Sequence, residues 1–162
     1  MPMNRVKYAA LFVFLVGTAG CRPVDSPVAV NAGASSESEV ADKSIVLVSV
    51  QSDAQEDPQS VDMAMKLASF SLDEGRQVAL FFNVKGVTCP TTDFPESFAF
   101  QENDPLRSQL IALINRGAEI HVCPICMKAL GVEAADILSG AEVTTRAKLF
   151  ANIGPDTSVF TY

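Results

Sequence analysis

The run Ile45-Val46-Leu47-Val48-Ser49-Val50 constrains this chain more than any other stretch. It is apolar and largely β-branched, which suits a strand buried on both faces, as in a parallel sheet. A polar loop follows, then Asp57-Pro58, a helix-cap aspartate ahead of a proline fit for the first helical position. Val61, Met65, Ala68 and Leu72 recur at helical spacing, and Gly75 is placed to stop the helix. Val78 to Phe82 reads as a second strand. Asp104-Pro105 repeats the start signal, Leu106, Leu110, Leu113 and Ile114 make an apolar stripe, and Gly117 ends it. Ala118 to Val122 is a third strand, and Val143 lies in a short fourth. A helix through Lys148 and Phe150 ends at Gly154-Pro155, and Ser158 to Phe160 is the last strand. Strands alternating with helices predict an α/β fold, a doubly wound, mostly parallel sheet of about five strands in one domain.

The first 43 residues do not belong to that pattern. Arg5 and Lys7 precede YAALFVFLVGTAG, an apolar stretch too short to span a bilayer comfortably. This predicts a signal peptide over residues 1–20. It ends in Thr18-Ala19-Gly20-Cys21, which resembles the lipobox of bacterial lipoproteins, with Thr18 where leucine is usual. Lipidation of Cys21 is the favoured reading, and ordinary cleavage after Ala19 or Gly20 competes with it. Residues 22–43, rich in Pro, Ala, Ser and acids, lack any helical or strand period. Residues 21–43 are therefore expected to be a tether, and 44–162 the folded domain. The expected location is outside the cytoplasm, in the periplasm or cell envelope, with contact to a membrane through the lipid anchor alone.

Net charge is −7, with 12 basic and 19 acidic residues. Removal of residues 1–20 takes away Arg5 and Lys7 and no acid, which leaves −9. That balance argues against nucleic-acid binding, which needs a basic surface. No Gly-rich phosphate loop or G-x-S-x-G elbow is present, so no cofactor is implied. Met63 and Met65 read as helix packing rather than a copper site. Glu56-Asp57 and Asp73-Glu74 suit helix ends better than acid–base work.

In a doubly wound sheet, chemistry sits beyond the carboxyl ends of the strands. Cys123 falls there, directly after the third strand, and opens the motif Cys123-Pro124-Ile125-Cys126. The start of a helix at that point favours a thiolate, the form that attacks a disulfide or accepts sulfane sulfur. Cys126 comes one helical turn later, so its sulfur can face Cys123. The connection from Val84 to Asn103 is long, holds Cys89 and three phenylalanines, and also follows a strand's carboxyl end. It is expected to lean over Cys123, with Cys89 either a third thiol or a loop residue without a role. His121 shares a face with Cys123 if the strand continues. Cys89, His121, Cys123 and Cys126 are then zinc ligands of suitable type, although H-x-C-x-x-C is unusual spacing and a core histidine is the favoured reading.

The stretches LDEGRQVALFFNVKGV, LINRGAEIHVCPICMKALGV and ILSGAEVTTRAKLFANIGPDTSVFTY, in that order, resemble the DsrE-like family of sulfur-handling proteins. This includes the DsrE/DsrF/DsrH and TusB/TusC/TusD types, and the likeness runs from about Ser44 to Tyr162. The resemblance implies an α/β domain with flavodoxin-like layering. It implies a persulfide-accepting cysteine after the third strand, by position Cys123. It also implies homo- or hetero-oligomers and protein sulfur donors or acceptors as partners. Cys126, Pro124 and an exported context depart from the family's cytoplasmic relays. Two further readings remain beside sulfur or thiol transfer. One is a binding or assembly module with a structural CPIC disulfide, and the other is a small metal-binding domain.

Overall fold

The computed structural model describes residues 44–162; the expected signal peptide, the tether and Cys21 lie outside the described residues. Five parallel strands form one sheet: β1 Ile45–Val50, β2 Gln77–Phe82, β3 Glu119–Val122, β4 Ala141–Val143 and β5 Thr157–Thr161. Their order is β4-β3-β2-β1-β5. Four helices connect them: α1 Pro58–Asp73, α2 Leu106–Asn115, α3 Pro124–Leu130 and α4 Arg146–Ala151. From β1 to β4 the chain steps one way across the sheet. Right-handed crossovers then place α1, α2 and α3 on one face, and the return to β5 places α4 on the other.

The first face carries the core. Val46, Val48, Val50, Val78, Leu80, Phe82, Ile120 and Val122 pack with Val61, Ala64 and Met65 of α1 and with Leu106, Leu110 and Leu113 of α2. Replacing a residue such as Leu80 by Ala would cost about 2–5 kcal/mol. The second face differs from expectation. Leu47 and Ala79 are buried there, but Ile45, Ser49 and Phe81 are only half-buried. The physical reason is that, among the described residues, one short helix, α4, covers that face. Edge strand β5 is left mostly exposed, with Val159 57% accessible.

Two helix starts read alike in sequence diverge in structure. Asp57 caps α1, its Oδ1 accepting from Ser60 N at 3.1 Å with Pro58 at the first helical position. At α2, Pro105 itself is the cap residue and Asp104 makes no side-chain cap. Asp104 instead accepts from the Gln109 side-chain amide through its carbonyl. Helix α4 stops earlier than Gly154-Pro155, because Asn152 closes it with N–H bonds to Leu149 and Phe150.

The long connection after β2 is ordered. It opens with a 3-10 turn over Val84–Thr88 that packs on α3. Phe94 and Phe98 stack edge to face at 5.3 Å between centroids. Arg107 of α2 holds the Thr92 and Phe94 carbonyls at 2.7 and 2.6 Å. Thr91 bridges to Ile137. Its aromatic side chains are thus spent on packing rather than on a free lid.

Candidate functional site

Cys123 is fixed by the strand it follows. Its N–H donates to the Phe82 carbonyl at 2.9 Å, extending the β2–β3 ladder one step beyond Val122. Its own carbonyl accepts the first helical bond of α3, from Met127 N at 3.0 Å, and Pro124 occupies the first turn. Gly131 ends α3 at φ +71°, a conformation a side chain would resist. Cys126 therefore lies one turn above Cys123. Both are free, half-buried thiols, and they interact. Ile125 between them is 79% exposed.

Cys126 has a second neighbour that the sequence reading missed. The Val84 N–H donates to its sulfur at 3.1 Å. Val84 has φ +49°, a left-handed conformation that costs a β-branched residue about 1–3 kcal/mol. Its surroundings hold it there. Asn83 is buried, its side-chain amide donating to Ser49 Oγ at 2.8 Å and to the Phe81 carbonyl at 3.3 Å. The Lys85 and Gly86 N–H groups both bond the Gln51 carbonyl. Gly86 runs so close to β1 that a Cβ there would lie 2.2 Å from the Val50 carbonyl oxygen. The one hint in sequence was Gly86, a glycine shortly after a strand.

Burial pushes the Cys126 thiol up from its ordinary value, and the adjacent Cys123 sulfur adds to that. The Val84 N–H acts in the opposite direction, because a donor favours the anion.

Cys89, read in sequence as either a third thiol or a loop residue without a role, is buried. It is 1% exposed and its sulfur faces the Ser52 carbonyl at 3.8 Å. Burial pushes it up to about 12, so it stays protonated at neutral pH. It belongs to the core.

His121 is a core histidine, as the favoured reading had it. Its Nε2 lies 3.0 Å from Glu119 Oε2 and 3.1 Å from the Asn152 amide nitrogen. Its Nδ1 is 3.3 Å from Glu142 Oε1, within ion-pair range but not aligned as a hydrogen bond. The ring serves to tie β3 to β4 and α4. Cys89, His121, Cys123 and Cys126 do not gather as a ligand set, because none of His121's partners is a cysteine. Among the described residues no group of three or more His, Cys, Asp or Glu is arranged to hold a metal.

A parallel α/β domain with two free thiols at the carboxyl edge of its sheet is the class these features define. The model of the DsrE/DsrF-like family matches residues 45–160, and the chain belongs to that family. Two solved structures share the fold. The ychN protein from E. coli is 19% identical with a TM-score of 0.53, over 74% of this chain and 99% of its own. MTH1491 from Methanobacterium thermoautotrophicum, a protein of unknown function, is 14% identical with a TM-score of 0.55, over 75% and 100%. No curated protein gives a significant match. Family membership carries a sulfur-related role in general terms.

Proposed function

We propose that this is an exported, lipid-anchored DsrE-like protein that handles sulfur or thiols through Cys123 and Cys126. The observation that carries the reading is the adjacency of two free sulfurs at the strand–helix junction after β3. Cys123 is the nucleophile. Its thiolate attacks the outer sulfur of a donor protein's persulfide, the donor's S–S bond breaks, the donor cysteine leaves as thiolate, and Cys123 becomes a persulfide. An acceptor thiolate then takes the outer sulfur and restores the Cys123 thiolate. Cys126 is the resolving partner. If it attacks the inner sulfur instead, hydrosulfide leaves and a Cys123–Cys126 disulfide forms, which a partner dithiol must reduce. Lipidation at Cys21, a periplasmic or cell-envelope location and a homo-oligomeric state belong to the same proposal.

The test is intact mass of the mature full-length protein, alkylated before and after mild reductant. A sulfur adduct mapping to Cys123, or a Cys123–Cys126 bond that opens readily, is expected. Cys123→Ser should abolish transfer; full retention would sink the reading. A disulfide that survives mild reductant, with no adduct, would favour an assembly module, for which the exposed edge strand β5 is the supporting feature.

A further inference from the structure

Val84 occupies a conformation that glycine adopts freely and valine does not, and its N–H meets a sulfur that is one half of the CPIC pair. Strain of this kind persists only where the surroundings impose it. Here the buried Asn83 amide, the paired N–H bonds to Gln51 and the glycine-only approach of residue 86 impose it together. The turn thus aims one donor at one sulfur, before any substrate arrives. Cys123 has a different fixed partner for its main chain, the Phe82 carbonyl, so the last residue of β2 holds one cysteine and the turn directly after it holds the other.

We propose that the main-chain N–H of Val84 is a positioning donor for the sulfur anion of Cys126, so that Cys126 resolves, and in reverse leaves, when the pair exchanges with a partner protein's dithiol or disulfide. This rests on the reading of Cys123 as nucleophile. In the forward direction a partner disulfide is the oxidant. Cys123 thiolate attacks one partner sulfur, a mixed disulfide forms, and the first partner thiolate leaves. Cys126 then loses its proton to solvent and attacks the Cys123 sulfur. The Cys123–Cys126 bond forms, the second partner thiolate leaves, and two electrons have passed to the partner. In reverse, a partner thiolate attacks Cys123, the Cys123–Cys126 bond breaks, and the electron pair stays on Cys126. In both directions negative charge resides on the sulfur that Val84 faces. An amide aimed beforehand stabilises it without reorganisation at the moment of exchange. It also stabilises the reduced pair, which makes the disulfide a stronger oxidant.

The test removes only the donor. Replacing the amide nitrogen of residue 84 by an ester oxygen, through incorporation of the α-hydroxy analogue of valine, keeps the side chain and deletes the N–H. Two readouts are taken on the full-length chain. In a Cys123→Ser background, the iodoacetamide rate at Cys126, separated from Cys21 and Cys89 by peptide mapping, is expected to fall about tenfold. With both cysteines present, the ester is expected to shift the glutathione equilibrium about tenfold toward the disulfide. If the ester protein does not fold, Asn83→Ala supplies the second route. It frees the turn, and it should slow Cys126 severalfold while leaving Cys123 unchanged in a Cys126→Ser background. An unchanged Cys126 rate in the folded variant overturns the inference, even if Cys123 still carries sulfur. A Cys123 that carries no sulfur and exchanges with no disulfide overturns the underlying reading, whereas the Cys126 rates still decide the role of Val84.

Discussion

At the scale of single residues, Val84 and Cys89 make opposite statements about cost. Val84 pays in backbone strain for its place beside Cys126. Val84→Gly should relieve about 1–2 kcal/mol of left-handed strain and lose about 0.5–1 kcal/mol to unfolded-chain entropy. The expected net gain of about 0.5–1 kcal/mol is read as a higher urea midpoint. A lower midpoint would mean that the valine side chain contributes packing that outweighs the strain. Cys89 is a core residue that happens to be a thiol. Held up to about 12 by burial, it should resist alkylation at pH 7 until the domain opens. Its labelling rate should therefore rise with denaturant in step with unfolding. Fast labelling of the native protein would return it to the list of working thiols.

At the scale of elements, the polar contacts of β3 with β4 and α4 set an acid limit. Glu119 is held below its ordinary value of 4.5 chiefly by the Asn152 amide, with a smaller contribution from His121. Because the folded value is the lower one, its stabilisation is fully present above the ordinary carboxylate value. It is lost as pH falls through the depressed one. Asn152→Ala should flatten this part of the acid limb, measured as the pH dependence of the urea midpoint below pH 5. An unchanged slope would show that Asn152 does not hold the carboxylate. The elements themselves were legible because each announces itself locally. The β-branched run gave β1, Asp57-Pro58 gave the start of α1, and the glycines at 75 and 117 both adopt positive φ where the helices were expected to end. Asp104 misled because a cap depends on where the side chain turns, and Gln109 offered the backbone a different partner. The position of Cys123 was legible for the same local reason, being the residue after a strand. Val84 was not, since its role depends on a bend fixed by Ser49, Val50 and Gln51, which are distant in sequence. His121 is the core histidine that the sequence favoured, but its partners Glu119, Glu142 and Asn152 were not legible, because they depend on the register of β3 with β4 and on the return of α4.

At the scale of the whole molecule, the sheet is unevenly dressed. Among the described residues one face carries three helices and the other a single short one, and β5 leaves Val159 and Phe160 open. In the proposed homo-oligomer this edge is the natural contact, since large exposed apolar side chains on a strand favour pairing with another chain. Val159→Asp should move the mass measured by light scattering toward that of the monomer while leaving the far-ultraviolet dichroism unchanged. Retention of the full oligomer would place the contact elsewhere.

The same strand order has a consequence for biosynthesis. β1 sits between β2 and β5, so one of its two hydrogen-bonding edges waits for a segment made nearly a whole domain later. Pairings so distant along the chain form slowly. During synthesis, the strand read first in the sequence, β1, would wait half-paired until β5 is made. A chaperone that shields that open seam would raise the yield of this protein more than one that shelters its helices.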